Sequence, residues 1–420
     1  MRSSQTFFVA LLALFVLESH AQTIVLRAGN LVDPATGTVS KNQTILIKGK
    51  DIAEIGSKIE VPSGAQVIDL SNAWILPGLM DAHTHLLLTG YESRSGLEAV
   101  YVKESSGLRT LLGARNARAV LEAGFTTVKD IGNAANYGDV DLRRAIEHGW
   151  VVGPTMRTVG KIIAPFGGQS RNVSPEQSLL WQYEYIDADS PDEVRKAVRQ
   201  NIFYGANAIK LVADNSRYYY SLEEIQAAVK EAHNAGYTVA VHAGGKEAAR
   251  NAILAGAESI EHGTNLSDEL LRLMKEKGTF LVGTDFPEEH LKVMSPNSTR
   301  DQKAQAERII DRLRRAHKIG VKMAFGSDVV IETFEGKNRG ELMMDYLDVW
   351  LAAGIPPAEI LKCWTTNPAE LMQIESRRGN IKPGLAADII ATPGNPLQDI
   401  RALRKVFFVM KDGAVIKHNK

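Results

Sequence analysis

Short apolar runs alternate with helix-forming stretches from Trp74 to Met372, and no other feature of the chain constrains its fold as strongly. The pattern predicts eight strands: Leu79 to His83, Thr126 to Lys129, Thr155 to Val159, Ala208 to Val212, Thr238 to His242, Ser259 to His262, Thr279 to Val282 and Lys322 to Phe325. Strands separated by helices pair in parallel, and eight such units predict an α/β fold closed into a (β/α)8 TIM-type barrel. A doubly wound open sheet satisfies the same alternation. The helices carry their own start signals. Ser221-Leu222-Glu223-Glu224 reads as a capping box that opens a helix from Leu222 to His233, with a stop near Gly236.

The flanks differ in texture. Ile24 to Arg27, Thr44 to Lys48 and Ile52 to Ile55 read as strands, with Gly49-Lys50-Asp51 turning between the last two. Towards the far end, Ala387 to Ile390 and Val406 to Met410 precede Asp412-Gly413 and Ala414 to Ile416, a hairpin signal. Neither flank is large enough to cover its own apolar face. The expectation is one small composite β-sandwich built from residues 22–73 and 377–420, with the barrel domain at 74–376.

Residues 1–21 belong to neither unit. Arg2 supplies a positive start, Phe7 to Val16 is apolar, and Ser19-His20-Ala21 fits a small-x-small cleavage site. This predicts a signal peptide and a secreted or periplasmic product; an uncleaved anchor helix is the alternative. No later stretch approaches the roughly 18 uninterrupted apolar residues of a membrane helix, so no membrane association is expected after cleavage.

Lys+Arg 49 against Asp+Glu 49 gives a formal net charge of +0 over 420 residues, which argues against a nucleic-acid partner needing a basic face. The single cysteine, Cys363, excludes an internal disulfide and any multi-cysteine zinc or iron–sulfur site. A transition metal would have to be held by histidine, carboxylate or modified lysine. Such residues recur at one structural station, the carboxyl ends of the expected strands, which converge on one face of a barrel. His83 and His85 are two apart at the end of strand one and can face the same side. His242 ends strand five, His262 ends strand six, and Asp328 follows strand eight. Each alone suits a cap or a hydrogen-bonded core residue; together they predict a metal site.

Pro77-Gly78-Leu79-Met80-Asp81-Ala82-His83-Thr84-His85, taken with His242, His262 and Asp328, resembles the amidohydrolase superfamily over nearly the whole mature chain. The likeness is closer to its imidazolonepropionase-like branch, which includes secreted Xaa-Pro dipeptidases and ochratoxin-type amide hydrolases. Pro383-Gly384-Leu385-Ala386-Ala387-Asp388-Ile389 also resembles the superfamily's returning sandwich strand. The resemblance implies a distorted barrel, a small-molecule substrate and self-association into a homo-oligomer. Lys210, at the end of strand four, occupies the station where the binuclear subgroup carries a lysine carboxylated by carbon dioxide. A free ammonium would be repelled by two dications, whereas a carbamate would bridge them. The His-x-x-Glu of many mononuclear deaminases is replaced after His242 by Ala243-Gly244-Gly245-Lys246, which favours two metals.

The implied centre therefore has His83, His85 and Asp328 on one ion, His242 and His262 on the other, and carboxylated Lys210 between. A bridging hydroxide would attack an amide or peptide carbonyl while Asp328 serves as general base and acid. Histidine and carboxylate suit zinc best, with manganese, cobalt and iron open. A hydrolytic deaminase or cyclic-amide hydrolase, and a non-catalytic metal-dependent binding protein, are the competing readings.

Substrate residues are expected on the loops. Arg217, Tyr218 and Tyr219, with Tyr220, form a basic, aromatic cluster suited to the carboxylate of a dipeptide or N-acyl amino acid. Gln169 stands where many branch relatives have histidine, and Asn338 resembles a loop residue of the branch. His148, His233, His290, His317 and His418 are read as structural, and Cys363 and Trp364 as core. Strand alternation would turn Glu261 away from the mouth, leaving it an ion-pair role.

Overall fold

The computed structural model describes residues 23–89, 102–170, 173–214, 218–295, 299 and 301–419. The expected signal peptide and Arg217 lie outside them.

Four strands open the described chain: β1 (Thr23–Asp33), β2 (Thr38–Lys48), β3 (Asp51–Gly56) and β4 (Gln66–Pro77). Alternation places Ile24, Leu26 and Ala28 of β1 and Ile45 and Ile47 of β2 in one apolar cluster. The chain then enters β5 (Leu79–Thr84), β6 (Phe125–Asp130) and β7 (Thr155–Thr158), a parallel three-stranded sheet. Next come β8 (Ile162–Ala164), β9 (Tyr185–Asp187), β10 (Ile209–Val212), β11 (Val239–Ala243), β12 (Ser259–His262) and β13 (Phe280–Val282). These pair in parallel in the order β13-β12-β11-β10-β8-β9. A ribbon of β14 (Thr333–Phe334) and β15 (Lys337–Asn338) follows. Finally β16 (Ile389–Thr392), β17 (Phe408–Lys411) and β18 (Ala414–His418) join the first four in one seven-stranded sheet, ordered β18-β17-β16-β4-β1-β2-β3.

The parallel strands are mostly buried, as expected where helices cover them. Helices Ser106–Glu122, Gly138–Glu147, Pro191–Phe203, Leu222–Asn234, Lys246–Ala255 and Asp268–Lys277 alternate with the strands. The Leu222–Asn234 helix starts at the expected Ser221 capping box, in which Ser221 and Glu224 bond reciprocally.

Two backbone seams link the parallel sheets. Thr158 O in β7 accepts from Asn207 N at 2.9 Å and Ala208 N at 3.2 Å, just ahead of β10. At the other side, the 322–325 segment is held to β13 by Leu281 N donating to Lys322 O at 2.9 Å, and to β5 by Ala82 N donating to Phe325 O at 2.8 Å. This segment makes a single parallel bridge, Leu281 to Met323, instead of the full strand expected from Lys322 to Phe325. It breaks at Gly326, where a Cβ would come within 2.7 Å of His83 Cβ. The sequence reading also missed β8 and β9, three-residue strands too short to show a period. The strands it named in the first flank stop at Ile55, whereas β4 runs from Gln66 to Pro77 beside β16.

Beneath the rim, Phe325 stacks on Trp364 with centroids 3.8 Å apart, and Phe125 packs against both. Cys363 and Trp364 are buried in this core. Among the described residues, no helix is long and apolar enough to cross a membrane.

Candidate metal centre

The candidate ligands meet although they come from five places along the chain. His83 lies in β5 and His85 just beyond it, Lys210 in β10, His242 in β11, His262 at the end of β12, and Asp328 after the 322–325 segment. Asp328 is the hub. One of its oxygens lies 3.1 Å from His85 Nε2 and 3.7 Å from His83 Nε2; the other lies 3.7 Å from His262 Nδ1. The His83 and His262 rings are 5.0 Å apart by centroid, and those of His242 and His262 4.4 Å. Donor atoms of His83, His85 and Asp328 all fall within 4.8 Å of one another.

Backbone conformation aims two of these groups. His262 and Asp328 have φ of 63° and 52°, in the left-handed region that non-glycine residues rarely occupy. The turn at His262 breaks strand alternation, so Glu261 and His262 both face the interior. This corrects the expectation for Glu261. It does form an ion pair, with Lys129 Nζ at 3.7 Å, but its other oxygen lies 2.6 Å from His83 Nδ1.

The electrostatics suit cation binding. Burial pushes the His83 imidazole down to about 4 and His242 to about 3, so both present lone pairs at neutral pH. Burial likewise drives His262 well below its ordinary value. Burial works against ionisation of Asp328, but His83 and His85 outweigh it and hold the carboxyl below its usual range. Lys210 is pushed down to about 8 by burial. It is 2% exposed, and its Nζ has no hydrogen-bond partner. An unpartnered buried amine near three imidazoles and a carboxylate is costly as it stands. The donor set fits divalent ions, and Lys210 fits a group that converts its nitrogen to an anionic ligand.

Three supporting residues escaped the sequence reading. Asp81 accepts from His83 N at 2.8 Å and Ser327 N at 3.1 Å, tying strand one to the Asp328 loop. Burial pushes its carboxyl up to about 7. Arg339 is buried and donates to the carbonyls of His85, Leu88 and Val329 at 2.7 to 2.9 Å. Thr284 Oγ1 lies 2.8 Å from His262 Nδ1. Asn338, the expected substrate residue, caps the short helix Arg339–Met343, accepting from Glu341 N at 3.1 Å. Asp81 alone left a legible sign, an acid two residues before His83 on the same strand.

Tyr218 and Tyr219 are 44% and 53% exposed, and the Tyr218 hydroxyl donates to Phe166 O at 2.6 Å. Gln169 is exposed, with its Oε1 3.2 Å from the Tyr185 hydroxyl. Tyr220 is buried and donates to Ala188 O. Of the histidines set aside, His290 is buried near Asp345 at 3.3 Å, and exposed His233 bonds Glu258 at 2.7 Å.

Comparison with known families decides the class: the Amidohydrolase family model matches residues 74–418. The chain belongs to the amidohydrolase family. It is a hydrolase acting on carbon–nitrogen bonds. Ochratoxinase from Aspergillus niger is 30% identical over 439 residues, covering 95% of this chain and 87% of that protein. Imidazolonepropionase from Kosmotoga olearia is 24% identical, over 91% and 92%. Among solved structures, a Xaa-Pro dipeptidase with bound methionine in its active site superposes with a TM-score of 0.81 at 30% identity, covering 94% of this chain and 100% of that one. The chain shares the TIM-barrel type of α/β fold with these neighbours.

Proposed function

We propose that the chain is an exported, binuclear metal-dependent amidohydrolase that cleaves an amide or peptide bond in a small substrate bearing a carboxylate. Xaa-Pro dipeptides and N-acyl amino acids such as ochratoxin A are the classes of choice, in keeping with the names of its relatives. The observation that carries the reading is Lys210 Nζ, buried without a hydrogen-bond partner near His83, His242, His262 and Asp328. His83, His85 and Asp328 would hold one ion, His242 and His262 the other, with a carbamate on Lys210 between them; zinc suits the donors best. When bound, the ions supply Lewis-acid polarisation of a carbonyl and acidify water.

The chain's own residues do the rest. Asp328, held ionised, takes a proton from the attacking water and hands it to the leaving nitrogen, the transfer an amide requires. Tyr218, Tyr219, Gln169 and Asn338, with Arg217 from the sequence alone, are assigned to the substrate and its carboxylate.

The same reading places β5, β6, β7, β10, β11, β12, β13 and the 322–325 segment in one closed barrel within residues 74–376; the two backbone seams support it. Residues 22–73 and 377–420 form the sandwich. Its support is a bond from Ile52 N in the edge strand β3 to Leu385 O at 2.9 Å, which ties β3 to the segment leading into β16, beside a separate apolar cluster. Residues 1–21 direct export, and the chain self-associates as its family resemblance implies.

The test is metal content per chain after reconstitution with and without bicarbonate, alongside product mass spectrometry on a dipeptide and N-acyl amino acid panel. The expected result is about two ions with bicarbonate and release of a free amino acid. One ion insensitive to bicarbonate, with ammonia released from aminated heterocycles, would overturn the proposal.

A further inference from the structure

Below the ligand rim, and touching no substrate, two oppositely charged side chains are sealed inside the parallel strands. Glu261 is 0% exposed and Lys129 1%, with Lys129 Nζ 3.7 Å from Glu261 Oε1. Ser259 Oγ donates to the same oxygen. The second carboxylate oxygen is aimed elsewhere, at His83 Nδ1, 2.6 Å away. Burying such a pair inside an apolar cylinder is a poor way to gain stability, since both ions lose their hydration. The arrangement makes sense through the third partner.

An ionised carboxylate only accepts hydrogen bonds, so His83 Nδ1 must carry the proton and donate it. The Nε2 lone pair is then left free, and Nε2 is the atom that faces Asp328 at 3.7 Å. The neighbouring ligands are supported differently. His85 Nδ1 bonds the carbonyl of Gly132, and His262 Nδ1 bonds the Thr284 hydroxyl. Of these three imidazoles, His83 alone is backed by a full negative charge. A charged acceptor holds a ring more firmly than a neutral one and makes its far nitrogen a stronger donor. Lys129 supplies the counter-charge that allows a carboxylate to stay there.

We propose that Glu261, charge-balanced by Lys129, is a positioning residue that locks His83 in its Nδ1–H tautomer and thereby sets how tightly the inner cation position holds its ion. The idea rests on the metal reading above for its consequence, but its structural core is a property of the metal-free chain.

Two measurements test it. The first is nitrogen-15 NMR of the histidine-labelled, metal-free full chain, with the His83 signal assigned by its loss in His83→Gln. The expected result is a proton on Nδ1; a proton on Nε2 would overturn the proposal, and this readout needs no altered Glu261 to fold. The second is chelator competition with Zn2+ on Glu261→Gln/Lys129→Met, which removes both charges while keeping similar volumes. The double variant should melt close to the wild type yet hold Zn2+ about 10- to 100-fold more weakly. A folded double variant with wild-type Zn2+ affinity would overturn the proposal, because a purely structural pair would alter melting and leave affinity alone. If the wild-type chain itself bound no Zn2+, the metal reading would fall, and the tautomer result would still stand or fail by the NMR.

Discussion

The two halves of the ligand rim are built to different standards. His83, His85 and Asp328 are cross-braced by buried groups: Asp81 beneath the strand-one backbone, Glu261 behind His83, and Arg339 across three carbonyls. On the other side the His262 ring meets the neutral Thr284 hydroxyl while buried Arg312 holds its backbone carbonyl, and His242 has a carboxylate oxygen of Asp214 at 3.7 Å from its Nε2. Both halves are held through the backbone, and the difference lies in the rings: a full charge braces His83, while a lighter, neutral contact backs His262, and Lys210 Nζ has no hydrogen-bond partner. Proton transfer is assigned to the braced half, where a shift of position would cost most.

Three changes would break or sharpen that contrast. The largest effect is expected from Asp328→Asn, which keeps the shape and tolerates the left-handed backbone. It should retain most of the metal while kcat/KM falls about 100- to 10,000-fold; steady-state kinetics with full turnover would remove Asp328 from proton transfer. Next comes Arg339→Met, which leaves three buried carbonyls without their donor, each costing about 1–3 kcal/mol. Urea unfolding should show a loss of about 3 kcal/mol or more, and a loss below about 1 kcal/mol would mean the brace is ornamental. The smallest effect belongs to the lighter half. Thr284→Val should cost about 1 kcal/mol and weaken Zn2+ binding less than about tenfold; an effect matching Arg339→Met would erase the distinction.

Much of this was legible beforehand where local chemistry decides it. Ser259–His262 is a strand with the expected bounds, and the Ser221 box opens its helix where the pattern placed it. The rim was readable because strand ends and ligand-type residues coincide in number along the chain. What escaped depended on distant partners. Glu261 was turned the wrong way because alternation knows nothing of a φ of 63° at His262. Arg339 went unread beside Asn338 because its partners lie at the end of β5 and after the 322–325 segment. The Lys322–Phe325 strand is reduced to one bridge, and the close approach of Gly326 to His83 just beyond it is a contact between distant residues that periodicity does not register.

The seven-stranded sheet carries a further consequence. β4 gains its neighbour β16 only after the whole run of parallel strands has been synthesised. On the ribosome, β1 to β4 therefore wait with an open edge, and the last strands act as a clasp that shuts when translation is nearly done. Pairing across such sequence distance is slow and leaves nascent chains prone to sticking. A frameshift that removed β16 to β18 would spare every ligand residue, yet strand the N-terminal sheet with an unpaired edge, a ready template for aggregation.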